Sequence, residues 1–245
     1  MLETVSAFWA EYGDVLIEGS WETLLMVSIS TVLSYVIGVP LGVALIVTQP
    51  QGIRPHRVVY GVLGWIVNIG RSLPFAILLV ALMPFTRALV GTAIGVKGAI
   101  PPLVISAAPF VARMVETSLS EVDAGVVEAA QAMGASPLQI VRKVYLPESM
   151  PSLVLGGAIS IVSILAYTAI AGTVGAGGLG DIAIRYGHQR GITSVMWVTV
   201  VFLIIFVQII QVVFNNFAKR IDKRLNQTHK SFAPHEMLFR FTHIK

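Results

Sequence analysis

The sequence predicts an all-α membrane protein: five transmembrane helices in one bundle, with the N-terminus outside and the C-terminus inside. Three observations carry this. The 245 residues are 55% hydrophobic and only 12% charged, about half the charged fraction of a soluble domain, and the mean hydropathy is +0.79. The apolar residues form continuous runs near or above the roughly 20 residues that a membrane-crossing helix needs, without the alternation of a membrane barrel. The basic residues are also lopsided. With the N-terminus outside, twelve of the 17 Lys and Arg fall on inner segments, and four (Arg87, Lys97, Arg185, Arg190) fall on outer ones, with Arg71 inside a span. Cytoplasmic loops are the ones enriched in Lys and Arg.

Residues 1–19 read as an external N-terminal segment. It is acidic at Glu3, Glu11, Asp14 and Glu18 and lacks the basic n-region of a cleaved signal peptide, so the first span is expected to stay as an anchor. Spans are expected at 21–47, 58–83, 99–118, 152–174 and 195–217, together forming a membrane domain over 20–217. In the first span, Gly38 and Gly42 flank Pro40 as a GxxxG pair, which predicts close helix packing.

The second span contains Arg71, where a lipid-facing charge is costly, and Pro74, which frees the Gly70 carbonyl and predicts a kink. The Arg71 guanidinium is expected either to satisfy carbonyls freed at that kink or to face a pathway and gate it. In the fourth span, Gly156, Ser160, Ser163 and Tyr167 recur at helical spacing. Such a stripe is either a packing seam or the polar lining of a passage.

Gly175, Gly177 and Gly180 fit G-x-G-x-x-G. A dinucleotide site requires a preceding strand, and here a membrane span precedes, so the motif reads as a flexible exit turn available to an external receptor.

Between the third and fourth spans lies a cytoplasmic segment, 119–151. Ser120 with Asp123 is a capping-box pattern that predicts a helix starting near Glu121. Val122, Val126, Ala129, Ala130 and Met133 share one face of it, and Gly134 can end it. Ser136-Pro137 restarts a helix with Leu138, Val141, Val144 and Tyr145 on one face and Gln139, Arg142 and Lys143 on the other. Pro147 and Pro151 close it. Helices this short are unstable alone in water. Their apolar faces must be buried, either on the bundle and lipid headgroups or in the groove of a cytoplasmic partner.

Glu128-Ala129-Ala130, Gly134 six residues after the Glu, and Val144-x-Leu146-Pro147 resemble the EAA signature of permease subunits of ATP-binding-cassette importers, departing only in Val144 where Ile is usual. WETLLMV, RSLPFAILLVALMPFTRALVGTAIG, AAPFVARMVE and GAGGLGDIAIRYG, in that order, are similar to methionine-importer permeases, and the resemblance spans about residues 20–225. It implies the transmembrane domain of a type I importer that moves methionine, D- and L-forms alike, across the bacterial inner membrane. The implied coupling residues are Glu128, Ala129, Ala130, Met133, Gly134 and Ala135, seated in a groove of the ATPase. The implied partners are a second copy of the chain, two cytoplasmic ATPase subunits, an extracytoplasmic substrate-binding (lipo)protein and membrane lipid, with no nucleic acid. A related permease for another amino acid, betaine or a phosphonate is the alternative.

No P-loop pattern occurs in the chain, so ATP is expected to be bound and hydrolysed by a separate polypeptide, leaving this chain without catalytic residues or a cofactor. An enzyme would need convergent acids, bases or nucleophiles in the spans, and the residue that stands out there is Arg71, not such a set. A passive channel would have no use for a docking segment. His56, His188, His229, His235 and His243 are too scattered to orient a metal. Residues 218–245 read as a cytoplasmic tail, expected to be mobile.

Overall fold

The computed structural model describes residues 2–221; most of the expected tail lies outside them. The described chain is helical throughout, without strands. Helix α1 (Leu2–Thr48) is one rod of 47 residues, about 70 Å long at 1.5 Å per residue, against a hydrocarbon core of about 30 Å. The N-terminal segment is therefore not separate from the first span, as the sequence had suggested. No proline interrupts it before Pro40, and its outer half is held because Leu16 is buried with Leu179, Ile182 and Val195.

The second span departs most from expectation. Helix α2 (Arg57–Ser72) starts at His56, whose Nδ1 accepts the Val59 N–H at 3.3 Å. It stops at Leu73, held extended (ψ 124°) because Pro74 disfavours the helical region for the residue before it. Helix α3 (Phe75–Ala81) then leaves at 98° to α2, and α4 (Met83–Val90) follows. The single kinked span expected over 58–83 is thus a broken one. Burial of Phe75, Leu78 and Leu79 fixes the turn far beyond an ordinary proline kink. Four described helices are long and apolar enough to cross a membrane, or five if the bent pair counts as one span.

Helix α5 (Gly95–Ser120) is the axis of the bundle, with Leu103, Val111, Ala112, Val115 and Leu119 fully buried. Its main neighbour is α1, and the GxxxG pair sets their approach. A Cβ on Gly42 would stand 2.5 Å from the Ala112 carbonyl oxygen and 2.7 Å from Val115 Cβ, and one on Gly38 would stand 2.7 Å from Val111 Cβ. Small residues let helix backbones come this close.

The cytoplasmic segment contributes α6 (Ala124–Ala132), α7 (Pro137–Ile140), a π-helical turn over Val141–Tyr145 and α8 (Leu146–Glu148). Then come α9 (Met150–Gly172), α10 (Gly178–Ile182), a second π-helical stretch over Ala183–Gln189, and α11 (Thr193–Ile221). α11 packs on α9 through Leu203, Phe206, Val207 and Ile210. Its outer face, including Trp197, Val201, Ile204, Ile209 and Val213, is exposed, as an apolar helix facing lipid should be.

The glycine-rich turn before α10 is anchored, not the flexible exit that the sequence suggested. Gly175, Gly177 and Gly178 all have positive φ, a conformation open to glycine at little cost. The chain there is tied to α1: the Gly178 N–H donates to Glu22 Oε2 at 2.6 Å and the Leu179 N–H to Thr23 Oγ1 at 2.9 Å. A Cβ on Gly177 would stand 2.5 Å from Glu22 Oε2. Glu22→Leu leaves that part-buried N–H unpaired and is expected to cost about 1–3 kcal/mol, read as a lower thermal midpoint of the purified chain in detergent.

Candidate coupling surface and transmembrane groove

The cytoplasmic segment is built from its caps. α5 runs through to Ser120, whose hydroxyl donates to the Thr117 carbonyl at 2.6 Å and so does not start a new helix. Asp123 does, accepting the Gly125 N–H at 2.7 Å, which moves the helix start from the expected Glu121 to Ala124. At the other end Gly134 takes φ +78°. Its N–H reaches the Gln131 carbonyl at 2.9 Å and the Ala135 N–H reaches that of Ala130 at 3.1 Å, the paired bonds that close a helix on a left-handed residue. Ser136 and Gln139 then form a reciprocal capping box, with Pro137 in the first turn.

The helical path does not end at Pro147. That residue denies the Lys143 carbonyl its α-helical donor, and the chain widens into the π turn just before it. Pro151 sits in the first turn of α9, where a missing N–H costs nothing.

α6 turns only part of its expected apolar face into the bundle. Val127 and Ala130 go into a core with Ile46, Leu119, Ile140, Val141 and Tyr145 at the cytoplasmic ends of α1 and α5. Val126 (45% exposed), Ala129 and Met133 (81%) point outward at spacings of three and four, hence on one face. In the next helix Val141 and Tyr145 are buried and Val144 half-buried, but Leu138 is 59% exposed. Gln139, Arg142 and Lys143 are exposed.

Both readings of the segment thus find their residues: one apolar face seals the bundle, and a second stays open. Of the six coupling residues suggested by the sequence, Glu128, Ala129, Met133 and Gly134 are exposed, Ala135 is half-buried and Ala130 is in the core. Burial pushes the Tyr145 phenol above its ordinary value.

The second element of the site is a groove of about 330 Å³ between α2, α5 and α9, lined by Arg71, Phe110, Arg113, Met114, Thr117, Ser118, Ser152, Leu155, Gly156 and Ile159. Arg71 lies here, exposed, without a hydrogen bond or ion pair among the described residues. The expected bond to carbonyls freed at the break is not formed, because the side chain lies along the groove instead.

The stripe on α9 divides. Gly156 lets Met114 approach (a Cβ would stand 2.5 Å from its Sδ), and Ser160 is buried with its hydroxyl on the Gly156 carbonyl at 2.9 Å; both pack. Ser163 is half-buried and bonds the Ile159 carbonyl at 2.8 Å. Tyr167 stacks on Phe75 at 4.6 Å between centroids, pinning α3 to α9. These four residues do not converge on one lining.

Long apolar helices, a broken second span and an open apolar ridge at the inner end are the parts of a transport subunit. Residues 38–227 match the family described as the binding-protein-dependent transport system inner membrane component, and the chain belongs to that family, as an inner-membrane protein. It is 49% identical over 221 residues to the probable D-methionine transport system permease protein MetI of Vibrio cholerae, covering 90% of this chain and 98% of that one. Against the D-methionine permease MetI of Escherichia coli K12 it is 51% identical over 158 residues, 64% of this chain and 73% of the other.

Among solved structures, a chain of the methionine ABC transporter MetNI in an inward-facing conformation superimposes with TM-score 0.86 at 46% identity, covering 87% of this chain and 99% of that one. An amino acid ABC transporter chain at 17% identity and TM-score 0.71 shares the fold, which is that of type I ABC importer transmembrane subunits.

Proposed function

We propose that this chain is the permease subunit of an ATP-driven methionine importer. Two copies enclose the translocation pathway, two cytoplasmic ATPase subunits sit below and a substrate-binding protein delivers methionine from outside. The observation that carries this reading is identity near one half, along nearly the whole chain, to a D-methionine permease. The exposed ridge of Val126, Ala129 and Met133 gives the ATPase a surface to grip. This chain supplies no phosphate cradle, so ATP is bound and hydrolysed by the partner. Closure of the ATPase pair on ATP draws the two coupling helices together and opens the bundle outward; hydrolysis returns it inward. The caps at Asp123 and Ser136 make the segment a rigid lever, and its buried face transmits the movement directly to α1 and α5.

Cells stripped of their own methionine uptake and given this chain with its cognate partners should accumulate labelled methionine saturably. Excess unlabelled D- or L-methionine should compete, while betaine, phosphonates and polar amino acids should not. Competition by betaine instead would keep the transport class and reassign the substrate.

A further inference from the structure

From the groove between α2, α5 and α9 we infer that Arg71 is the membrane-embedded receiver of the substrate carboxylate. This rests on the importer reading above and assigns its pathway a specific contact. Arg71 stands 14 residues along α2 from Arg57, about 21 Å of rise and so well inside a hydrocarbon core of about 30 Å. From there the groove descends past Met114 and Leu155 to Thr117, Ser118 and Ser152 at the inner ends of α5 and α9. It therefore leads from the membrane interior towards the cytoplasm.

Its two guanidiniums are not equivalent. Arg113 is neutralised, with Nη1 2.6 Å from Glu116 Oε2 and Nη2 2.8 Å from Asn68 Oδ1. Arg71 has no such partner among the described residues, and an unpaired charge at this depth must face water or meet an anion. A second copy of the chain cannot supply one from its spans. The five expected spans hold two carboxylates, Glu22 and Glu116: Glu22 accepts the Gly178 N–H at the outer end, and Glu116 is 6% exposed and already bound to Arg113. With both carboxylates engaged, an anion that meets Arg71 comes with a ligand.

The groove's volume is within the range of small-molecule sites, about 300–1,000 Å³. Its remaining lining suits a zwitterion with an apolar side chain: Phe110, Met114, Leu155 and Ile159 for the side chain, and the hydroxyls of Thr117, Ser118 and Ser152 along the way out. A guanidinium matches a carboxylate two bonds at a time.

The test is uptake by the complete complex in proteoliposomes, comparing wild type with Arg71→Lys, Arg71→Met and Arg71→Glu. Arg71→Met is expected to lower the maximal uptake rate about tenfold or more, with ATPase assembly and binding-protein-stimulated hydrolysis held within about twofold. Arg71→Glu should fall lower still, and Arg71→Lys should recover much of the rate. A purely structural role would lower all three together, or lower assembly, and either result would overturn the inference.

So would Arg71→Met transporting at the wild-type rate. Wild-type uptake that changes on exchanging chloride for sulfate, with Arg71→Met insensitive, would give Arg71 to an inorganic anion and overturn the carboxylate assignment. Absence of methionine uptake by the wild type would instead fail the importer reading itself.

Discussion

A chain carrying Gly134→Trp is expected to insert and fold as the wild type does, yet lose ATP-driven uptake by about tenfold or more, equivalent to about 1.4 kcal/mol or more in the coupled step. Gly134 has φ +78°, and nothing lies within 4 Å of where its Cβ would be. The side chain therefore starts into open space. It starts beside exposed Met133, on the surface proposed above to meet the ATPase. The left-handed backbone adds roughly 1–2 kcal/mol of strain for any L side chain, so Gly134→Ala is the necessary control: it carries the strain without the bulk and should keep most of the uptake. Uptake and ATP hydrolysis measured in the same vesicles separate the outcomes. Wild-type transport by the Trp variant would place the ATPase contact elsewhere.

Gly42→Leu is expected to do the reverse, lowering the yield of folded chain and with it every activity. The Ala112 carbonyl oxygen 2.5 Å from the new Cβ is backbone of the most buried helix, and Val115 closes the other side at 2.7 Å. Neither can move without separating α1 from α5 and opening the core that holds Ile46, Val111, Val115 and Leu119. Overpacking typically costs about 1–3 kcal/mol, occasionally more, and a clash with backbone sits at the upper end, a large part of a total stability of about 5–15 kcal/mol. The yield of monodisperse protein in detergent reads it directly. Gly61→Leu is the matched control, since nothing lies within 4 Å of that position, and its yield should be unchanged.

The spans were legible because lipid selects long uninterrupted apolar runs, and α5, α9 and α11 stand on those runs. What was not legible depended on contacts distant in sequence. The outer half of α1 is too acidic to look like a span, and it is ordered by Leu16 meeting Leu179. Pro74 announced an interruption, but its 98° size depends on where Phe75, Leu78 and Leu79 find burial.

On α6, Val126 and Val127 are equally apolar. Which one turns inward is decided by Ile46, Leu119 and Tyr145, and local periodicity, which grouped Val126 with Ala130, could not say which face the bundle takes. Ser120 and Asp123 can each cap a helix; α5 running two residues further than expected, to Ser120, took Ser120 out of the contest. The glycine-rich turn looked free because its anchor, Glu22, lies 156 residues away from Gly178. By contrast Gly134 as a helix end and Ser136 as an N-cap were readable, since each depends on residues close in sequence; the Gln139 half of the box was seen only in the structure.

The measurement that bears most directly on the central claim is uptake of labelled methionine together with ATP hydrolysis, in proteoliposomes holding this chain, its cognate ATPase and its binding protein. The expected result is saturable methionine uptake that requires all three proteins and ATP, and that vanishes in the Gly134→Trp chain while the ATPase still hydrolyses. Failure of the ATPase to associate with the chain, or methionine uptake that proceeds without ATP, would contradict the account.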